Sequence, residues 1–337
     1  MTKILAFSKH LVFNTGGAEK SIVQTLRSHK NDDITLLGFD SPSSLYRVKP
    51  HKNVPTNWTI KSITPPFRLN RFPYYEYFLN KRKLKDLFRS YNGYDKLVTY
   101  SLYAPVVINT LDIATTLYIR SENDLLIRDN YYTDPVKHFA KKLYSMSENP
   151  ALSLYRRELE VAMRHSTVIA NSNFIAKQLH KRFGIQADIC YPPINIKKLK
   201  AEYDNIKDTI EQKGIVFVGD SIVKGLPKAL QIAKVLKKNK FYFFSRYIVS
   251  RQVEDNITWM PWAEREIDYL KYASHIIVPS FWQEAYGRVS REAYLLGIPV
   301  LVSNRGGLPE TVDNDPSHIV SNYLSTEAWV DAIKRIS

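Results

Sequence analysis

The sequence predicts an α/β protein of two parallel-sheet domains, and three observations carry the prediction. Short apolar runs alternate along the whole chain with segments of helical periodicity, the pattern of strand–helix–strand units that cover both faces of a parallel sheet. The chain has 337 residues, more than one hydrophobic core usually serves. Near its middle, Tyr191-Pro192-Pro193-Ile194-Asn195 precedes a charged, weakly periodic stretch from Lys197 to Gln212, which reads as a hinge and linker. The expected division is a first domain over 1–193, a second over 194–324, and a last helix over 325–337 that can return to pack on the first domain.

In the first domain, Lys3 to Ser8 reads as a buried strand, followed by Thr15-Gly16-Gly17-Ala18-Glu19 and a helix from Ala18 to Ser28. Adjacent glycines at a helix start allow the backbone to approach a ligand closely. The spaced glycines of a dinucleotide-binding turn are absent there, which argues against an oxidoreductase. Strands are expected at Ile34 to Phe39, Trp58 to Ile63, Lys96 to Tyr100 and Thr116 to Arg120, with helices over Tyr75 to Arg89 and Val106 to Leu111. Helix 150–165 follows, then a strand from Thr167 that enters a helix near Asn173. The second domain opens with Gly214-Ile-Val-Phe-Val-Gly219-Asp220 and Lys224-Gly225, then a helix from Leu226 to Lys237. Strands are expected at Tyr242 to Phe244, Ile257 to Met260, Ser274 to Val278 and Pro299 to Val302, with a helix from Glu264 to Tyr272. Ser325 is a candidate cap for a last amphipathic helix.

Composition narrows the class. Apolar content of 44% without low-complexity tracts fits a folded globular protein. Cys190 is the only cysteine, so no intrachain disulfide forms. No apolar run approaches the roughly 18–20 residues of a membrane span, and the first residues read as a strand rather than a signal peptide. The expected location is the cytoplasm, peripheral to the inner face of the membrane. The net charge of +15 is concentrated in residues 1–190, where 28 Lys and Arg face 16 Asp and Glu. The densest part, Arg68 to Arg89, mixes basic with aromatic residues. Such a mixture suits an anionic membrane surface or an acidic acceptor. No nucleic-acid module is recognisable, so nucleic acid is not expected as a partner. A solvated basic face on a helix packed by Tyr77, Leu84, Leu87 and Phe88 is the plainer reading of the same stretch.

The chemistry-bearing stretch is Pro279-Ser280-Phe281-Trp282-Gln283-Glu284-Ala285-Tyr286-Gly287-Arg288-Val289-Ser290-Arg291-Glu292, followed by Gly297-Ile298-Pro299-Val300 and Gly306-Gly307-Leu308-Pro309-Glu310. A buried strand precedes it and a helix begins after Gly287. Ligands of open α/β sheets bind beyond the carboxyl ends of the strands. The N–H groups of Ala285, Tyr286, Gly287, Arg288 and Val289 would face a phosphate with the helix dipole behind them. Two carboxylates, Glu284 and Glu292, flank that turn. Taken alone, Glu284 reads equally as a loop carboxylate and Glu292 as a helix-dipole residue.

In register with its glycines and prolines, this Glu-x7-Glu stretch resembles the signature of GT4-type retaining glycosyltransferases of the GT-B fold. The resemblance extends to Gly16-Gly17-Ala18-Glu19, to the Ala170-Asn171-Ser172 and Tyr191-Pro192-Pro193 segments, and to Gly219 with Lys224-Gly225. It implies two Rossmann-like domains facing each other across a cleft. The N-terminal domain would hold the acceptor and the C-terminal domain a UDP- or GDP-linked sugar. It implies that Glu284 holds the sugar, Glu292 the ribose and Lys224 the diphosphate, with Gly16, Gly17 and Gly219 lining the phosphates. The exit of the Ile257 strand, with Met260 and Trp262, would touch the base, although Trp262 reads equally as a core aromatic.

Family members often carry a histidine or other polar residue after the strand ending at Arg120; here Arg120 and Glu122 are the local candidates, and a surface ion pair is the alternative. Asp220 stands where the family pattern has arginine, so Arg246 or Arg288 must compensate or donor binding is altered. The implied reaction is metal-independent, cofactor-free transfer of a hexosyl unit with retention to a hydroxyl of a cell-surface glycan or lipid-linked saccharide. A sugar phosphorylase or epimerase of the same fold, or a non-catalytic nucleotide-sugar-binding protein, are the alternatives.

Overall fold

The computed structural model describes residues 1–9, 11, 17–29, 31–39, 55–69, 71–121, 124–126, 135–209, 213–263 and 265–336. The chain divides into two units, one formed by Met1–Asn130 with Val136–Pro193 and one containing Ile194–Ser337.

The N-terminal unit runs β1 (Lys3–Phe7), α1 (Gly17–Leu26), β2 (Asp33–Phe39), β3 (Trp58–Ile63), α2 (Pro73–Arg89), β4 (Lys96–Tyr100), α3 (Ala104–Ile108), β5 (Ala114–Ile119), α4 (Pro135–Arg164), β6 (Thr167–Ala170), α5 (Asn173–Phe183) and β7 (Asp188–Ile189). Its strands form one parallel sheet in the order β3-β2-β1-β4-β5-β6-β7. The central strands are continuous apolar runs because both faces are covered. Ile4 and Ala6 pack with Ile22, Val23 and Leu26 of α1, and Phe7 meets Phe88 of α2 edge-on, centroids 4.9 Å apart. Ser172 starts α5 by accepting from the Ile175 N–H at 3.1 Å, and Gly184 ends it at φ 65°.

Two helices depart from expectation: Ile196–Ile206 is helical where the sequence reads as a linker, capped by Asn195 and packed through buried Leu199, and the other starts earlier. The sequence reads as a helix over 150–165. Instead α4 begins at Pro135 and carries Pro150 in its interior. Proline removes one backbone donor, and tertiary contacts hold the helix on both sides of it. Tyr155 packs on Tyr74 and Tyr77 at 5.1 and 5.0 Å, while Tyr75 Oη donates to the Ser147 carbonyl at 2.9 Å.

The C-terminal unit runs α6 (Ile196–Ile206), β8 (Gly214–Val218), α7 (Leu226–Val235), β9 (Phe241–Ser245), β10 (Gln252–Glu254), β11 (Ile257–Pro261), α8 (Ile267–Leu270), β12 (Ala273–Val278), α9 (Arg288–Leu295), β13 (Val300–Ser303), β14 (Ile319–Val320) and α10 (Thr326–Ile336). The sheet order is β10-β11-β9-β8-β12-β13-β14, parallel except for β10 against β11. Side chains alternate between two cores. Val216, Tyr242 and Phe244 lie in one with Leu270 and Ala293; Ile215, Phe217, Phe241 and Phe243 lie in the other with Ala229, Ile232 and Trp329.

The apolar face of α10 belongs to its own unit, where Trp329 is fully buried and donates Nε1–H to the Tyr323 carbonyl at 2.9 Å. Its apolar residues fill the layer that α7 leaves beside β14.

Candidate functional site

Strand order puts a topological switch at β8, whose neighbours β9 and β12 are reached in opposite directions. That is where open α/β sheets bind ligands. Two loops leave the sheet there and lie backbone to backbone. Gly225, at φ 83°, starts α7, and a Cβ added to it would stand 1.9 Å from the Pro279 carbonyl oxygen. The Phe281 N–H donates to the Val223 carbonyl at 2.9 Å. Only glycine fits this approach. Gly219 is similarly constrained, since a side chain there would meet the Phe217 ring at 2.8 Å and the Lys224 Cβ at 3.1 Å.

The close packing brings Lys224 onto the second loop. Its ammonium lies 2.9 Å from Glu284 Oε2 and 5.4 Å from the centre of the Trp282 ring. Glu284 is 5% exposed, and its other oxygen accepts from Ser280 Oγ. The next loop holds the backbone of Glu284: the Gly307 N–H donates to its carbonyl at 2.6 Å, and Arg305 Nε donates to the Phe281 carbonyl at 2.9 Å. Ala285, Tyr286 and Gly287 lead from it into α9, where Gly287 is the cap residue and no side chain caps the helix. Arg288 and Val289 form its first turn.

Glu292 sits one turn further into α9 and is 2% exposed. Its Oε1 accepts from Arg288 Nε at 3.0 Å and its Oε2 accepts from Tyr269 Oη. Arg288 also reaches Glu266 at 3.5 Å. Burial pushes the Glu292 carboxyl above the ordinary range, outweighing the opposing pull of Arg288. The Tyr269 hydroxyl is raised well above its ordinary value by burial and by this carboxylate, so it remains the proton donor of the pair.

Asp220 follows Gly219 and makes a bidentate ion pair with Arg246, Nε to Oδ2 at 2.7 Å and Nη2 to Oδ1 at 3.1 Å. The carboxylate is 4% exposed and the guanidinium 51%. Hydrogen bonding from Arg246 holds the Asp220 carboxyl below the usual range. The guanidinium also lies 5.2 Å from the centre of the Trp262 ring. Trp262 and Met260 in turn line a cavity of about 320 Å³ with Phe244, Arg265, Lys271 and Tyr272.

Thus Gly219, Lys224 and Glu284 meet on adjoining loops, and Met260 and Trp262 border one cavity. Arg120 lies at the end of β5 in the N-terminal unit, 8% exposed, with its N–H donated to Asp124 Oδ2 at 3.0 Å and its carbonyl accepting from Asn171 Nδ2 at 3.2 Å. Gly17 is the first residue of α1; Gly16 and Glu122 lie outside the described residues. Sequence reasoning missed Ser280 and Tyr269 as partners of the two glutamates. A serine four residues before Glu284 at a strand exit was a local clue. Tyr269, distant in sequence from Glu292, left none.

Residues 195–337 match the family described as glycosyl transferases group 1. Over 71 residues the chain is 35% identical to D-inositol 3-phosphate glycosyltransferase of Saccharomonospora viridis, a match covering 21% of this chain. The matched segment spans 16% of that relative's length. Sucrose-phosphate synthase of Thermosynechococcus elongatus superposes with a TM-score of 0.70 at 16% identity, over 100% of this chain and 90% of that one. Anabaena HepE, solved in complex with UDP-glucose, superposes at 0.68 and 13% identity, over 99% and 89%. The group 1 match thus covers the C-terminal unit, and the superpositions show the GT-B fold across the chain.

Proposed function

We propose that the protein transfers a hexosyl unit from a UDP- or GDP-linked sugar to a hydroxyl of a saccharide or lipid-linked acceptor, with retention and without a metal. The observation that carries this reading is the Lys224–Glu284 ion pair at the switch point beside the start of α9. The acceptor oxygen bonds to the anomeric carbon as its bond to the diphosphate breaks, and the acceptor proton passes to the departing phosphate. Charge grows on that phosphate, so its stabilisation dominates the barrier. Lys224 and the N–H groups of residues 285–289 supply it, and Glu284 takes the sugar hydroxyls. Glu292 takes the ribose, and the cavity of Met260 and Trp262 takes the base. Arg246, anchored on the buried Asp220, restores the cation that Asp220 displaces. Arg120 and Glu122 are the polar candidates from the N-terminal unit. HepE, which carries UDP-glucose on the same fold, supports a nucleotide sugar as donor.

Mass-spectrometric turnover across UDP-, GDP-, ADP- and TDP-sugars tests the reading. One donor is hydrolysed slowly without acceptor, and Glu284→Ala and Lys224→Ala each lower that rate by about a hundredfold or more. Arg246→Ala lowers it less, because its guanidinium is half exposed. Turnover that survives both loop variants would refute the assignment of this site.

A further inference from the structure

The first half of α4 carries apolar side chains that the fold does not bury. Val136, Phe139, Leu143 and Met146 are 76%, 61%, 51% and 57% exposed, and their spacing puts them on one stripe of the helix. Other side chains of the same turns hold the helix down. Glu148 is buried, and Tyr144 meets Phe72 at 5.7 Å and donates its hydroxyl to the Arg71 carbonyl. The stripe is therefore turned outward on a fixed support.

The segment before α2 is built the same way. Buried Glu76 accepts from the Leu69 N–H at 2.6 Å, and buried Asn80 accepts from the Phe67 N–H and donates to its carbonyl, both at 2.9 Å. Yet the Phe67, Leu69 and Phe72 side chains are 47%, 37% and 38% exposed. Contiguous exposed apolar groups on a held backbone mark an interaction surface.

Charge identifies the occupant. From Pro135 to Ser147, α4 contains Lys137, His138, Lys141 and Lys142 and no acidic residue. A second copy docking through this stripe would set these cations against themselves. An anionic bilayer supplies both requirements, acyl boundary for the stripe and phosphate for the lysines. We propose that the N-terminal unit docks on anionic membranes through α4, lying in the headgroup plane with Phe139 and Leu143 inserted. No helix among the described residues is long and apolar enough to cross a membrane, so this contact is one of a surface-lying helix.

Flotation of the full chain with phosphatidylcholine vesicles, with and without phosphatidylglycerol, tests it. The chain floats with the anionic vesicles at low salt and is released as salt screens the lysines. Phe139→Ser/Leu143→Ser abolishes flotation, and Lys137→Glu/Lys142→Glu weakens it by about fivefold or more per lysine. All four positions are exposed, so both variants keep a folded chain whose melting temperature still responds to nucleotide sugars. That response also separates failure here from failure of the donor site, which uses other residues. The proposal is overturned by absence of flotation at low salt or by flotation that survives both variants. It is equally overturned by a wild-type dimer that Phe139→Ser/Leu143→Ser dissociates, which would make a second copy the occupant.

Discussion

Glu292 shows how one carboxylate can read as a ligand in the sequence and as a buried, partnered group in the fold. Its oxygens accept from Tyr269 and Arg288, and burial raises its proton affinity. A carboxyl whose affinity is raised on folding contributes no penalty while both states are protonated. As pH rises past the unfolded value, about 4.3, the unfolded chain ionises first and the native state loses stability until the folded group also ionises. Glu292→Gln removes this dependence. The variant is destabilised most near pH 4, and its deficit in melting temperature narrows as the pH rises through the mildly acidic range. A deficit independent of pH would contradict the raised carboxyl. Asp220 has the opposite sign: Arg246 lowers its proton affinity, so its contribution is complete above about pH 3.9 and fades only below it.

At the scale of elements, the site depends on the contact between two strand exits, and two glycines separate contact from backbone strain. Gly225 and Gly297 both have positive φ, 83° and 71°. A Cβ on Gly225 would collide with the Pro279 carbonyl, whereas one on Gly297 meets nothing within 4 Å. Gly297→Ala therefore costs about 1 kcal/mol of conformational strain. Gly225→Ala costs at least about 2 kcal/mol and separates Lys224 from Glu284. Denaturant melts give the costs, and a Gly225→Ala chain that keeps donor turnover would refute the role of the contact. Much of this was legible in advance. Buried strands such as Ile215–Val218 are short apolar runs, and glycine and proline mark their exits, so the architecture and the Glu284 loop could be read directly. Three features could not. Pro150 lies inside α4, and it is packing by Tyr74, Tyr75 and Tyr77 of α2 that carries the helix past it. The Tyr269 partner lies far along the chain from the carboxylate it meets. The α10 face is amphipathic whichever surface it covers, so periodicity cannot say which.

At the scale of the whole molecule, each unit has its own sheet and core, and the proposed contacts to base, ribose and sugar come from the C-terminal unit. Calorimetric unfolding is therefore expected in two transitions, with a cognate nucleotide sugar raising the C-terminal one. At a hundred times its Kd the ligand adds about 2.7 kcal/mol to that unit, and equal shifts in both transitions would contradict a donor site so confined. In the proposed transfer, the Lys224–Glu284 pair has a consequence for the end of the cycle. A nucleotide sugar offers phosphate to the ammonium and hydroxyls to the carboxylate, replacing both halves of the pair at once. The nucleoside diphosphate left after transfer satisfies only Lys224 and strands a nearly buried Glu284. In the proposed cycle, re-formation of the ion pair then competes with the spent nucleotide for the lysine, an internal group that would help expel the product.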